Sequence, residues 1–188
     1  MVRNLNDDIQ EVMISAETLQ QRIGEMAAEI SADYGDAESF LMIGVLKGSV
    51  LFMSDLTRAI ARPHDMDFMA VSSYGASTKS SGVVQIRMDL KETITGRHIL
   101  IVEDIIDSGR TLNYLCELLQ AREPASLKIC TLLNKPSRRE VNVPVDYIGF
   151  DIPDEFVVGY GLDFDELYRN IPYIAVLKPE AFASILEE

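Results

Sequence analysis

Basic side chains are scarce in this 188-residue chain: 17 Lys and Arg stand against 30 Asp and Glu, for a net charge of −13. A surface of that sign repels nucleic acid and anionic membranes in bulk, so neither is expected as a partner. It can still bind a polyanionic small molecule if local cations or a helix N-terminus supply the attraction. Cysteine is scarce too. Cys116 and Cys130 lie outside any Cys-x-x-Cys pair, which excludes a disulfide framework and a zinc site. They read as small buried hydrophobes. No apolar run approaches the ~18 residues of a membrane span. The N-terminus carries Asp7, Asp8 and Glu11 in place of a signal-peptide pattern, so a cytoplasmic location is expected by default. No repeat, low-complexity tract or interdomain linker is visible. Neither the GxxxxGK[ST] phosphate loop nor the GxGxxG dinucleotide fingerprint occurs.

What remains is an ordinary globular composition, 47% hydrophobic and 25% charged. A single domain over residues 1–188 is expected, long enough to bury roughly 70% of its unfolded surface. Leu19, Ile23, Met26, Ala27 and Ile30 recur at helical spacing and predict one amphipathic helix over 12–34, with Ser15 as a candidate cap. Apolar runs at 40–46 and 98–102 predict buried strands. Further strands are expected at 66–73, 83–89, 126–133, 147–150, 156–160 and 173–177. Helices are expected at 50–61, stopped by Pro63, and at 111–122, stopped by Pro124. Strands alternating with helices make an α/β fold with a parallel sheet, whose ligands sit beyond the carboxyl ends of the strands. The Gly/Ser/Thr-rich stretch at 74–82 reads as a lid-like loop. His64 and His98 match no motif and read as structural.

The chemistry concentrates after the strand at 98–102. Glu103 and Asp104 follow it, then Ile105-Ile106, then Asp107-Ser108-Gly109-Arg110-Thr111 at the start of a helix. Gly109 permits a tight turn. The amides of residues 107–111, with the Ser108 and Thr111 hydroxyls, would make a phosphate nest. Two carboxylates beside such a nest make sense as ligands for ribose hydroxyls or for Mg²⁺. Asp107 is close enough to move a proton. The plain alternative is a capped helix with solvated acids.

The run Val102-Glu103-Asp104-Ile105-Ile106-Asp107-Ser108-Gly109-Arg110-Thr111-Leu112 resembles the phosphoribosyl-pyrophosphate signature of type I phosphoribosyltransferases, in the form found in the hypoxanthine-guanine subgroup. Leu46-Lys47-Gly48-Ser49 resembles that family's pyrophosphate loop, and Ser72-Ser73-Tyr74-Gly75 the start of its lid, at about 73–83. Leu132-Leu133-Asn134-Lys135-Pro136 resembles its purine-recognition segment, and the stretch from Ile152 to Asp163 its base-stacking strand and hood. The likeness runs from about residue 40 to 178. Two positions depart from it. Asn134 stands where many bacterial relatives have Asp. Ser49 replaces a glycine of the pyrophosphate loop, which leaves the unusual peptide geometry at Leu46-Lys47 open.

The resemblance implies a twisted parallel sheet flanked by helices, with a small hood built mainly from the N- and C-terminal segments. It implies transfer of a phosphoribosyl group from phosphoribosyl pyrophosphate to a 6-oxopurine, giving a nucleoside monophosphate, with Mg²⁺ required. Asp107 would act at the purine N7. Glu103 and Asp104 would hold the ribose hydroxyls directly or through Mg²⁺, and Asp163 would help hold the metal. Residues Asp107, Ser108, Gly109, Arg110 and Thr111 would cradle the 5′-phosphate, and Lys47, Gly48 and Arg169 the pyrophosphate. Lys135 would donate to the 6-oxo group, Phe156 and Ile105 would sandwich the base, and the Val157 backbone and Asp163 would flank its edge. Ser73 and Tyr74 would close over the site. A homo-oligomer, dimer or tetramer, is implied likewise. Taken singly, Phe156 reads as core, and Lys135 and Arg169 read as surface side chains. Competing readings are a xanthine- or uracil-preferring enzyme, a non-catalytic nucleotide-binding regulator, and an inert α/β domain. The regulator would need a basic face, and Arg138-Arg139 is too small a cluster to make one.

Overall fold

The computed structural model describes residues 5–35, 37–73 and 84–183. In chain order the elements are strand β1 (Ile9–Ile14), helix α1 (Ala16–Asp33), β2 (Phe40–Leu46), α2 (Val50–Ala59), β3 (Asp65–Ser73), β4 (Val84–Met88) and β5 (His98–Ile106). There follow α3 (Arg110–Gln120), β6 (Ser126–Asn134), β7 (Tyr147–Asp151), β8 (Val157–Val158), β9 (Ile174–Leu177) and α4 (Pro179–Ala183).

The main sheet has the order β4-β3-β2-β5-β6-β7. All its pairings are parallel except that of β4, which runs antiparallel along one edge. Both faces are covered, which is why β2 and β5 read as continuous apolar runs. Leu41, Ile43, Ile99 and Ile101 pack under Leu112, Leu115 and Leu119 of α3. Met42, Leu100 and Val102 pack on the other side, under Ile23 and Met26 of α1 and Phe52 and Leu56 of α2. The expected α/β architecture is therefore what these residues build. From β2 the chain lays β3 to one side and β5, β6 and β7 to the other. The loops leaving β2 and β5 diverge at this reversal, the position where open parallel sheets bind ligands.

Several boundaries differ from expectation. The first helix begins at Ala16, not at residue 12. Ser15 caps it, its Oγ accepting from the Thr18 amide at 3.2 Å. The residues before it form β1, antiparallel to β9 with Ile9 opposite Leu177 and Ile14 opposite Ile174. With β8 on the far side of β9, a second, three-stranded sheet joins the N-terminal segment to the C-terminal one. The strand expected at 156–160 shortens to Val157–Val158 because Gly159 and Tyr160 adopt left-handed φ values of 97° and 49°. β5 runs on past Val102 to Ile106, its ladder with β6 continuing through Glu103–Thr131 and Ile105–Leu133. Ser73 ends β3 opposite Val84. Tyr74 and the remainder of the expected lid lie outside the described residues.

The isolated polar groups are structural, as read. His98 Nδ1 shares a hydrogen bond of 2.8 Å with Ser126 Oγ, and His64 bonds Thr57. Burial pushes the Cys116 thiol up to about 11 and raises that of Cys130 as well, so neither is poised to react.

Candidate active site

The loop after β2 is held from two sides. A Cβ on Gly48 would fall 1.6 Å from Asp104 Oδ2. A Cβ on Gly161, whose φ is 103°, would fall 2.0 Å from the Gly48 carbonyl oxygen. The end of β5, the β2 loop and the segment after β8 thus meet closely, the Asp104 carboxylate against Gly48 and the Gly48 carbonyl against Gly161. The Leu46–Lys47 peptide bond is cis. Ser49 does not prevent this geometry: it is buried, and its hydroxyl donates to the Val45 carbonyl at 2.6 Å.

Glu103 and Asp104 are adjacent in sequence but separated in space, since neighbours on a strand face opposite sides. Asp104 meets Gly48. Glu103 lines a pocket of about 150 Å³ with Ile105, Asp107, Ser108, Gly109 and Thr111. Burial raises Glu103 well above the usual carboxylate range, with the Asp104 charge adding to it. Burial also pushes Asp104 up to about 6 and Asp163 adds to this, against the Ile105 amide (2.8 Å) and the charge of Arg169. Both are carboxylates that a nearby cation would relieve. Among the described residues no group of three or more His, Cys, Asp or Glu is preassembled around a metal position.

The turn from Asp107 to Thr111 has the form expected of it. Gly109 is left-handed at φ 82° and caps α3, and a Cβ there would lie 2.8 Å from the Val141 carbonyl oxygen. The amides opening α3 have no acceptor within the helix and face the turn. Behind them the Ser108 carbonyl accepts from Glu140 and Val141 amides at 3.0 and 3.1 Å. The Arg110 side chain leaves the turn to pair with Glu140, so what it can offer is its amide.

A line of charges runs from this turn to the segment that follows β6. Asp107 Oδ1 accepts from Arg138 Nε at 3.2 Å. Arg138 Nη1 lies 3.6 Å from Asp154, which in turn lies 3.9 Å from Lys135 Nζ. Lys135 is not a surface lysine: it is 8% exposed, and its ammonium donates to the Glu155 carbonyl at 2.7 Å. Nor is Phe156 core, being 45% exposed with its ring edge-to-face with Phe164 at 5.5 Å. Ile105 is half-buried at the pocket, and Val157 is buried in β8. Asn134 uses both ends of its amide, accepting from Arg139 and donating to Asp151 at 2.6 Å. An aspartate at 134 would set two carboxylates against each other. Asn134→Asp should therefore destabilise the fold by about 1 kcal/mol, and adding Asp151→Asn should restore it. Urea unfolding of the single and double variants checks this; equal stability of wild type and single variant would remove the Asp151 argument.

Lys47 and Arg169 also converge. Lys47 Nζ lies 2.9 Å from Glu166 Oε2, and Arg169 Nη2 lies 3.3 Å from the same oxygen and 2.8 Å from Asp163 Oδ1. Arg169 Nη1 donates to the Gly161 carbonyl at 2.8 Å. Arg138, Asp154 and Glu166 are members of the site that reading the sequence missed. The Arg138-Arg139 pair was visible, but only as a basic cluster too small for a nucleic-acid face; Glu166 carries no local signal.

Known proteins agree with this geometry. The family model described as "Phosphoribosyl transferase domain" matches residues 15–165. The hypoxanthine-guanine phosphoribosyltransferase of Bacillus subtilis is 53% identical over 180 residues, covering 96% of this chain and 99% of its own. That of Mycobacterium avium is 53% identical over 93% of this chain and 89% of its own. A crystal structure of a hypoxanthine phosphoribosyltransferase from Staphylococcus aureus superposes with a TM-score of 0.92 at 47% identity, covering 97% of this chain and 98% of that one. A glycine turn opening α3 at the sheet's reversal point and a likeness that extends over nearly the whole chain lead to one conclusion: this protein belongs to the phosphoribosyltransferase family.

Proposed function

We propose that this enzyme transfers the 5-phosphoribosyl group from phosphoribosyl pyrophosphate to hypoxanthine, and to guanine, releasing pyrophosphate and IMP or GMP. The observation that carries the base assignment is the line of charges from Asp107 to the buried Lys135. A 6-oxopurine presents N7 and O6 along one edge. Asp107 would take the N7 proton as N9 attacks the anomeric carbon, and Lys135 would donate to O6. Adenine would turn a donor toward the lysine's donors and be rejected. Phe156 and Ile105 would hold the ring faces, with the Val157 backbone at its edge.

As the bond to pyrophosphate breaks, positive charge develops on the sugar ring. Residues 107–111 would anchor the 5′-phosphate through backbone amides and the Ser108 and Thr111 hydroxyls, fixing the ring for in-line attack. Lys47, the Gly48 amide and Arg169 would receive the leaving pyrophosphate. Mg²⁺ fits the donor set, because it takes one or two carboxylates and completes its shell with water and substrate oxygens. Asp104 and Asp163 would hold it, with Glu103 on the ribose side, and when bound it would neutralise charge on the pyrophosphate. A single domain, a cytoplasmic location and assembly into a homo-oligomer belong to the same proposal by family analogy.

The test is to incubate the protein with Mg²⁺, phosphoribosyl pyrophosphate and each of hypoxanthine, guanine, xanthine, adenine and uracil. Nucleotide is expected from the first two; its formation from none of the five would sink the assignment. Lys135→Ala should raise KM for hypoxanthine about tenfold or more while leaving KM for phosphoribosyl pyrophosphate within about twofold, as loss of a hydrogen bond from a charged donor implies. Equal effects on both substrates would place Lys135 elsewhere in the site.

A further inference from the structure

The two cations assigned above to pyrophosphate already share an anion. We propose that Glu166 is an internal counter-anion that occupies this half-site between substrates and sets the enzyme's affinity for pyrophosphate. The proposal rests on the assignment of Lys47 and Arg169 to pyrophosphate.

Lys47 and Arg169 come from opposite ends of the chain, yet both reach the same oxygen, Glu166 Oε2, at 2.9 and 3.3 Å. Two cations closing on one anionic oxygen is the arrangement a phosphate oxygen would require. The backbone that delivers Glu166 is fixed. Asp165 and Glu166 hold left-handed φ values of 50° and 63°, which side-chain-bearing residues seldom adopt. Phe164 and Leu167 close the turn with reciprocal amide–carbonyl bonds of 3.2 and 3.0 Å, and the Glu166 amide donates to Asp163 Oδ2 at 2.9 Å. The carboxylate, by contrast, is easily moved. Glu166 is 62% exposed and Lys47 66% exposed, so the bond between them is solvent-screened and weak.

A rigid turn carrying a loosely held carboxylate suits an anion that must yield. Pyrophosphate, with several charges and more oxygens, outcompetes one carboxylate for the cation pair. When pyrophosphate leaves, Glu166 returns, so departure does not strand Lys47, and Arg169 shares its charge between Glu166 and Asp163, 2.8 Å away. The cost is paid in affinity: each binding event displaces an ion pair. A bracing role for Glu166, holding Lys47 and Arg169 in place for substrate, predicts the opposite sign when the charge is removed.

The experiment measures binding of Mg²⁺-pyrophosphate to the whole enzyme by calorimetry, together with product inhibition by pyrophosphate, for wild type, Glu166→Gln and Arg169→Gln. Glu166→Gln should tighten pyrophosphate about three- to tenfold, the scale of releasing two ion pairs made by an exposed carboxylate. It should lower KM for phosphoribosyl pyrophosphate and leave KM for hypoxanthine unchanged. Arg169→Gln should loosen pyrophosphate. Unchanged or weaker binding in Glu166→Gln, with weaker binding in Arg169→Gln, overturns the counter-anion while sparing the site. No effect of Arg169→Gln overturns the site assignment, and the counter-anion with it.

Discussion

Asp107→Asn should lower the rate of nucleotide formation by roughly 10²–10⁴-fold, the usual contribution of a positioned proton-transfer group. Asparagine keeps the shape of the side chain but cannot accept the N7 proton. The fold should survive, because the bond from Arg138 to Asp107 joins two half-exposed groups, and Arg138 keeps Asp154 as a second partner. KM for phosphoribosyl pyrophosphate should stay close to wild type, since the proposed phosphate anchors are amides of the turn and not this carboxylate. Single-turnover kinetics are the measurement to make, because product release can mask a chemical step in kcat. A single-turnover rate near wild type would remove Asp107 from the proton transfer.

Gly161→Ala should be among the most damaging small substitutions at the described residues. The new methyl would sit 2.0 Å from the Gly48 carbonyl oxygen, a backbone atom that cannot rotate away, and the residue's φ of 103° disfavours any side chain. A cost of at least about 3 kcal/mol is expected, which for a chain of this size lowers Tm by roughly 6–12 °C. Activity should suffer selectively as well. The Gly161 carbonyl accepts from Arg169, and its neighbour across the contact is the loop proposed to receive pyrophosphate, so KM for phosphoribosyl pyrophosphate should rise more than KM for the base. Gly24→Ala is the control. Gly24 lies within α1 with nothing within 4 Å of a Cβ, so alanine there should stabilise by about 0.5–1 kcal/mol. A Gly161→Ala protein as stable as wild type would mean that the loops do not approach this closely.

The parts legible in the sequence were those whose signal is local. Ile99 to Val102 reads as a buried strand because both its faces are covered, and Gly109 with Asp107 and Ser108 reads as a turn entering a helix because those residues carry their own conformational preferences. β1 was misread. Its burial runs intermediate, exposed, exposed, exposed, intermediate, buried, with no alternation to betray a strand, and its partner β9 lies at the other end of the chain. The separation of Glu103 from Asp104 was missed for a related reason. The acids seemed to end the strand, whereas Ile105 and Ile106 continue its ladder and so place the two carboxylates on opposite faces. Nothing local marked Glu166 or Arg138 as neighbours of the expected site residues. They act through contacts with Lys47 and Asp107, 119 and 31 residues away.

The smaller sheet has a bearing on how the molecule comes to exist. Every strand of the main sheet lies between Phe40 and Asp151, whereas β1 pairs with a strand that starts at Ile174. A polypeptide emerges from the ribosome N-terminus first. The main sheet, with the glycine turn between β5 and α3, can therefore close while β1 still waits for its partner. During that interval β1 is an unpaired strand edge, open to pairing with other chains. Phe156, Val157 and Arg169 join the structure only when the last strands arrive. The nascent chain would thus hold its phosphate cradle before its base pocket, and becomes an enzyme only when its two ends are stitched together.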